Sequence, residues 1–357
     1  MADVTAFRAV RYAQPRPSVT APPYDVVTPS ERVRLLALDP RNVAHLTLAE
    51  SEEEAGRLFR DWLRDGTLVR DHEPAVWALE QRYVGPDGVA RRRCGIVASL
   101  RVEPYATGTV LPHERTHAGP KESRLRLLRA ARAQLEPIFV LYDGMPPLVP
   151  PRREPELESE GTRLWRAEPE GVSAFFEDRQ LLIADGHHRY ETAVAFAAED
   201  GGPGSDCMMV VLVSTSDPGL EIFPTHRTFS GRRDIALPGE ELDDVDRAVA
   251  RLAEEPFDRA AAVVYRGGKA TLVHGQPNEL DVELVDRFGH DGIGYTPDRT
   301  EAVARVDRGE ADVAFLLRPT RIEDVFARAR RGEVMPQKTT YFFPKLRSGL
   351  LFQPLEP

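Results

Sequence analysis

The chain has 357 residues, 41% hydrophobic and 29% charged, an ordinary soluble globular composition with room for two domains or one large two-lobed one. A net charge of −10, from 47 basic and 57 acidic residues, argues against bulk nucleic-acid binding. The isolated cysteines Cys94 and Cys207 argue against a thiolate metal site and fit a cytoplasmic setting, and with no signal-like apolar start and no bilayer-length apolar run, no membrane partner is expected.

Residues 1–30 are punctuated by Pro15, Pro17, Pro22, Pro23 and Pro29, so an extended or looped segment is expected. Residues 28–38 read as a helix. Thr28 caps it, Pro29 fits the first turn, Glu31 suits the positive end, and Val33, Leu36 and Ala37 form the apolar stripe. Residues 51–65 read as a second helix, with Ala55, Leu58, Phe59, Trp62 and Leu63 on one face. Strands are predicted at 75–84 and 93–102, as a hairpin around the Gly85-Pro86-Asp87-Gly88 turn.

A long basic helix is predicted at 121–135, ended by Pro137 and followed by a strand at 138–142. Its cations Lys121, Arg124, Arg126, Arg129 and Arg132 read as a solvated face. Residues 145–170 look like an exposed connection. A short helix at 171–178 leads to a strand at 180–183 and a helix at 190–199, which Gly201 to Gly204 break. Strands follow at 208–214, 220–223 and 227–229. Beyond about 235 the texture changes: helices at 240–254 and 299–309 and strands at 261–265, 270–273 and 312–317 predict a second unit. The reading is mixed α/β (α+β), with a motif-bearing region at 1–235 and a C-terminal α/β unit at 236–357.

The richest stretch is Asp185-Gly186-His187-His188-Arg189. It falls where a buried strand turns into a helix. Gly186 permits a tight backbone path, and Arg189 can grip two phosphate oxygens. His187 or His188 can bond phosphate or move a proton near neutral pH. Asp185 can hold a metal ion or orient a histidine. The free N–H groups of a helix start complete an anion site, although the same residues can simply cap and pair.

Four other constellations stand out. His113-Glu114-Arg115-Thr116-His117 formally matches the zincin pattern, but Pro112 and Gly119-Pro120 leave room for about one helical turn. It reads as a polar loop, or as a pocket loop with Glu114 as base and His117 as a contact. Pro22-Pro23-Tyr24-Asp25 is a stiff turn whose Asp25 either caps or serves a site. Thr225-His226-Arg227 is a second His-Arg pair at a strand end. In the run 337–345, Phe342 and Phe343 read as core and Lys338 as a possible anion contact. Both familiar nucleotide loops, G-x-x-x-x-G-K and G-x-G-x-x-G, are absent.

These blocks, with Leu135-Glu136-Pro137-Ile138-Phe139 and Ala314-Phe315-Leu316-Leu317, run in order through nearly the whole chain. They resemble the bacterial and archaeal family called domain of unknown function 1015. The Asp185 to Arg189 block is also similar to the motif of free-serine kinases in the ParB and sulfiredoxin-like group. There the loop and helix start hold nucleotide phosphates. The resemblance implies a ParB/sulfiredoxin-like core with an added C-terminal unit, and it removes the zincin reading. The kinases' catalytic glutamate has no motif match here, so Glu114 is the candidate on chemistry alone.

The expectation is a phosphotransferase or phosphate-handling enzyme for a small hydroxylated metabolite, with serine or phosphoserine the first guess. Glu114, Asp25 and His187 are the candidate catalytic residues. Asp185, Gly186, His188, Arg189, His226, Arg227 and Lys338 are expected to bind the cofactor, a nucleotide or pyrophosphate, with Mg2+ on Asp185. Two alternatives remain: a non-catalytic nucleotide-binding regulator of the ParB type, and a metal-dependent hydrolase built on His113, His187, His188 and His226.

Overall fold

The hairpin around residues 85–88 forms as expected. Strands Val76–Val84 and Ala90–Arg101 pair from Trp77 with Val97 to Val84 with Ala90. They lie inside a nine-stranded sheet in a computed structural model that describes residues 1–116, 118–235 and 237–355. Along its path the strands run Val110–Leu111, Leu181–Asp185, Ile138–Tyr142, Cys207–Ser214, Ala90–Arg101, Val76–Val84, Thr162–Ala167 and Leu157–Ser159, with Val4–Thr5 added on Ala90–Arg101. The sheet is mixed. Ile138–Tyr142 is parallel to Cys207–Ser214 but antiparallel to Leu181–Asp185.

Both faces of this sheet are buried, and the period of two sorts the side chains. Phe139, Leu141, Leu182, Ala184, Met209 and Val211 face one core. Ile138, Val140, Leu181, Ile183, Val210 and Leu212 face the other, under Phe176 and Tyr190 of the helices Val172–Phe176 and His187–Asp200. A helical layer of Pro29–Leu38, Glu52–Arg64 and Ala118–Ala131 encloses a third core closed by Phe352.

The second unit is a six-stranded antiparallel sheet in the order Glu240–Leu242, Lys269–Pro277, Arg259–Arg266, Val313–Leu316, His226–Phe229, Ile293–Thr296. Helices Val245–Glu254 and Arg299–Asp307 cover one face and Asp281–Asp286 the other. The mixed α/β class is therefore as expected. Among the described residues, no helix is long and apolar enough to cross a membrane.

Four local expectations need correction. In Pro29–Leu38 the buried residue is Leu35, and Val33 is exposed. The stretch 145–170 is no mere connection, since Leu157–Ser159 and Thr162–Ala167 extend the sheet and bury Leu164 and Trp165. The helix after the key turn starts at His187 rather than at 190, so both histidines and Arg189 lie in its first turn. A cut at 235 passes through both cores instead of separating them. His226–Phe229 belongs to the second sheet, whereas Phe342, Leu346, Leu350 and Leu351 fill the first core. The returning tail is held by pairing of Tyr341–Phe343 with Glu221–Phe223 and of Gln353–Pro354 with Ala133–Gln134.

Candidate functional site

Strand Leu181–Asp185 ends against the core, and the chain turns through Gly186 at φ 100° into the helix His187–Asp200. A Cβ at position 186 would lie 2.5 Å from Ile138 Cγ2, so this turn admits only glycine. The helix starts without a side-chain cap hydrogen bond. Its first-turn N–H groups are thus an anion-receptive end of a helix dipole.

Arg189 folds back beneath the turn. Nη1 donates to Pro137 O at 2.5 Å and Nη2 to Asp185 Oδ2 at 3.0 Å. The other carboxylate oxygen, Asp185 Oδ1, accepts from Lys345 Nζ. Burial pushes the Asp185 carboxyl up, but Lys345 and Arg189 together hold it below the usual carboxylate range. Burial pulls the Lys345 ammonium down, and Asp185 more than offsets it. Both groups are therefore charged at neutral pH.

His113 and His187 meet edge to face, with ring centroids 4.7 Å apart. His113 Nδ1–H donates to Ile183 O at 2.7 Å, which leaves Nε2 to accept from the Thr340 hydroxyl at 3.0 Å. His187 Nε2 accepts from the His113 backbone N–H at 3.3 Å. Burial brings His113 down to about 4. Burial, then the nearby His113 charge, drives His187 well below its ordinary value. Burial favours the neutral form of both rings, and His187 Nε2, the nitrogen that would accept a proton, is already occupied by the His113 N–H. His188, next in the first turn, adds to the repulsion felt by His187.

Glu114 is half-buried beside this pair. Its main chain bridges Met335, whose N–H donates to His113 O at 2.8 Å. Burial raises the Glu114 carboxyl. The Lys338 ammonium and Lys338 N–H oppose that shift, and the Asp185 charge reinforces it. Lys338 itself is exposed, at φ 57°. Tyr24 and Asp25 lie in a short 3-10 helix at Tyr24–Val26. The Tyr24 N–H donates to Glu136 Oε1 at 3.1 Å, and the Arg124 guanidinium lies 4.3 Å from the Tyr24 ring centre. Asp25 is exposed, and its charge acts on both Arg189 and Lys345. Glu114, Asp25, Asp185, Gly186, His187, His188, Arg189 and Lys338 thus gather around one turn.

His226 and Arg227 do not join them. His226 Nδ1 accepts from the Leu317 N–H at 3.1 Å inside the second unit. Arg227 is fully buried and donates to Thr225 O at 3.0 Å and Gln337 O at 3.1 Å. Arg227 braces the loop that carries Lys338 and, being fully buried, offers no guanidinium edge to a phosphate. His117 lies outside the described residues. The basic helix is laced to its neighbours, with Lys121 on Glu191 and Arg129 on Glu199, as a solvated face would be.

The expected metal position is a poor fit. Both Asp185 oxygens already pair with cations, and no group of three His, Cys, Asp or Glu among the described residues is disposed to hold a metal ion. The histidine set of the hydrolase alternative is equally engaged, with both His113 nitrogens bonded and His226 in the other unit.

Two residues escaped the sequence reading. Lys345 closes the 337–345 run, yet only its distant strand partner reveals its role. Arg93 is fully buried, has no carboxylate partner among the described residues and is read more naturally as core. Its Nη1 donates to Phe343 O at 3.1 Å and its Nη2 to Pro344 O at 2.8 Å, with the guanidinium 4.5 Å from the Phe139 ring centre. Arg93 therefore fixes the main chain immediately before Lys345.

Fold and site define a two-unit α/β protein with an anion-receptive strand-to-helix turn. The chain belongs to the family described as Protein of unknown function (DUF1015), whose model matches residues 4–289. Among solved structures it is similar to a conserved hypothetical protein from Pyrococcus furiosus, at 16% identity and TM-score 0.38, over 68% of this chain and 92% of that one. It is also similar to a free serine kinase in complex with AMP, at 16% identity and TM-score 0.36, over 68% and 89% of the two chains. A third is SbnI with C-terminal truncation from Staphylococcus aureus, at 15% identity and TM-score 0.42, over 69% and 84%. No curated protein gives a significant match.

Proposed function

We propose that this protein is a phosphotransferase acting on a small hydroxylated metabolite, with a nucleotide or pyrophosphate as donor. One observation carries the reading: Glu114, Asp185 and Lys345 converge on the uncapped start of the helix His187–Asp200. The helix N–H groups and the Lys345 ammonium supply the positive field that a transferring phosphoryl group needs. Glu114, lifted by burial, takes the proton of the acceptor hydroxyl. The acceptor oxygen then bonds to phosphorus as the bond to the leaving phosphate or diphosphate breaks. Asp185 orients Lys345, Arg189 anchors Asp185, and His113 and His187 hold the turn in shape. Asp25 is a second carboxylate at the rim. The Asp185 to Arg189 resemblance makes serine the first acceptor to try.

The test is incubation with labelled ATP, ADP or pyrophosphate across a panel of hydroxylated metabolites. Labelled product that disappears in Glu114→Gln supports the assignment. Nucleotide binding without turnover across the panel replaces it with a nucleotide-binding regulator.

A further inference from the structure

The loop 335–340 is pinned at both ends. The Met335 N–H donates to His113 O at 2.8 Å, and the Thr340 hydroxyl donates to His113 Nε2 at 3.0 Å. The Thr339 hydroxyl donates to Pro336 O at 2.6 Å, and Thr339 O accepts from the Thr320 hydroxyl at 3.0 Å. Between these anchors lies the Gln337–Lys338 peptide, and its two edges face different units. Gln337 O accepts from Arg227 Nη2 at 3.1 Å, and the Lys338 N–H hydrogen bonds the Glu114 carboxylate. A trans peptide is planar with C=O and N–H opposed, so fixing one edge aims the other. A carbonyl that accepts a charge-assisted hydrogen bond also polarises its own N–H.

Two features mark this peptide as held under constraint. Lys338 sits at φ 57°, a left-handed conformation that a residue with a Cβ rarely adopts. Arg227 is fully buried, donates to the carbonyls of Thr225 and Gln337, and keeps a buried Nε without a hydrogen bond among the described residues. Burying a guanidinium without a carboxylate is costly, and a neutral donor would suffice merely to cap Gln337 O.

We propose that Arg227 is a positioning residue that acts through the Gln337–Lys338 peptide, holding its N–H on Glu114, so that the second unit governs a carboxylate of the first. That this carboxylate is the base rests on the phosphoryl-transfer reading, but its link to Arg227 does not. Besides the Lys338 ammonium, Glu114 feels Asp185 and Lys345 from the turn and the tail, and its charge reaches Tyr295 of the second sheet. Arg115, Glu283, Asp286, Arg287 and His290 line the open cavity beside it. A change at position 227 replaces none of these groups.

NMR titration of the full chain tests this, with the Glu114 carboxyl carbon assigned by its absence in Glu114→Gln. In the wild type the Lys338 amide proton should titrate together with Glu114. The hydrogen bond favours the ionised carboxylate, so its loss in Arg227→Gln should move the Glu114 midpoint up by about one to two pH units, the scale of a charged hydrogen bond. Arg227→Lys keeps the charge without the planar fork and should fall between. In turnover, the acid limb of kcat should move up with the midpoint while KM for the phosphate donor is unchanged. A Lys338 amide that ignores Glu114 overturns the proposal. So does an unchanged midpoint in Arg227→Gln, or in Arg227→Lys where only that variant folds. Phosphoryl transfer fails separately, when the midpoints move as expected but no phosphorylated product forms.

Discussion

Lys345 pairs with Asp185 across 160 residues of sequence, joining the returning C-terminal tail to the foot of the site helix. The tail enters the first core through Phe342, and Arg93 grips the carbonyls of Phe343 and Pro344 just before the lysine. Core packing and the placement of the cation proposed to face phosphate are thus one arrangement. Because both partners are largely withdrawn from water, the pair is a poor source of net stability but a sensitive one to break.

Lys345→Met should therefore act on binding and stability together. It leaves Asp185 with Arg189 alone, and loss of one partner of such a pair costs about 3 kcal/mol. Affinity for ADP or pyrophosphate should fall at least about tenfold, because a phosphate loses its charge-assisted contact. Lys345→Arg should recover part of both. Chemical denaturation and nucleotide titration measure the two effects, and unchanged affinity in Lys345→Met rules out a phosphate contact at this residue.

Glu114 gives opposite signs for activity and stability. Its carboxyl is raised in the folded protein, so it favours folding at low pH and that contribution is lost as pH rises through the raised value. Glu114→Gln should then leave the protein as stable or more stable at neutral pH, and this gain should vanish in acid, where the wild-type carboxyl is neutral too. Turnover needs the ionised base. Activity should fall as pH drops through a limb higher than an ordinary carboxylate, and Glu114→Gln should lose about 100-fold or more in kcat. A pH profile of kcat beside thermal melts at matched pH separates the two.

The strand-to-helix turn at 185–189 was readable because its signal is local: a buried strand, a glycine and a cationic first turn within a few residues. The hairpin and most helices were readable for the same reason. Tertiary context decided the rest. Leu164 and Trp165 sit among charged neighbours and look like loop until Val76–Val84 pairs with them. Arg227 has the same one-letter signature whether it faces a phosphate or, as here, main-chain carbonyls. Lys345 was hidden because its meaning depends on Asp185, and no spacing rule links residues so far apart.

The paired histidines predict an acid limit. His113 lies at about 4, against an ordinary 6.5, and His187 is also depressed. A depressed group stabilises the fold above its unfolded value and loses that contribution as pH falls through the folded one. Unfolding free energy should decline from about pH 6.5 downward and steepen toward pH 4. His113→Gln, which ends the pair's titration at one site, should flatten this slope while costing stability at neutral pH through the lost bonds to Ile183 and Thr340. Equal slopes in variant and wild type would remove the pair as its source.

Gly186→Ala tests the turn without touching any charge. The added methyl group meets Ile138 Cγ2 at 2.5 Å, and φ of 100° is strained for any residue with a Cβ. The backbone penalty alone is about 1–3 kcal/mol, and the clash adds to it. Relief requires the turn to move, which swings the first-turn N–H groups away from Lys345 and unseats Arg189 from Pro137. Binding of ADP or pyrophosphate should therefore weaken by more than the stability loss explains at temperatures where the variant remains folded. Ile138→Ala is the internal control. It removes the clashing Cγ2 from strand Ile138–Tyr142 and costs about 2–5 kcal/mol in wild type. In the Gly186→Ala background it should return part of the lost affinity. Failure of that partial rescue, with both single variants folded, would mean that the turn's geometry does not set anion affinity.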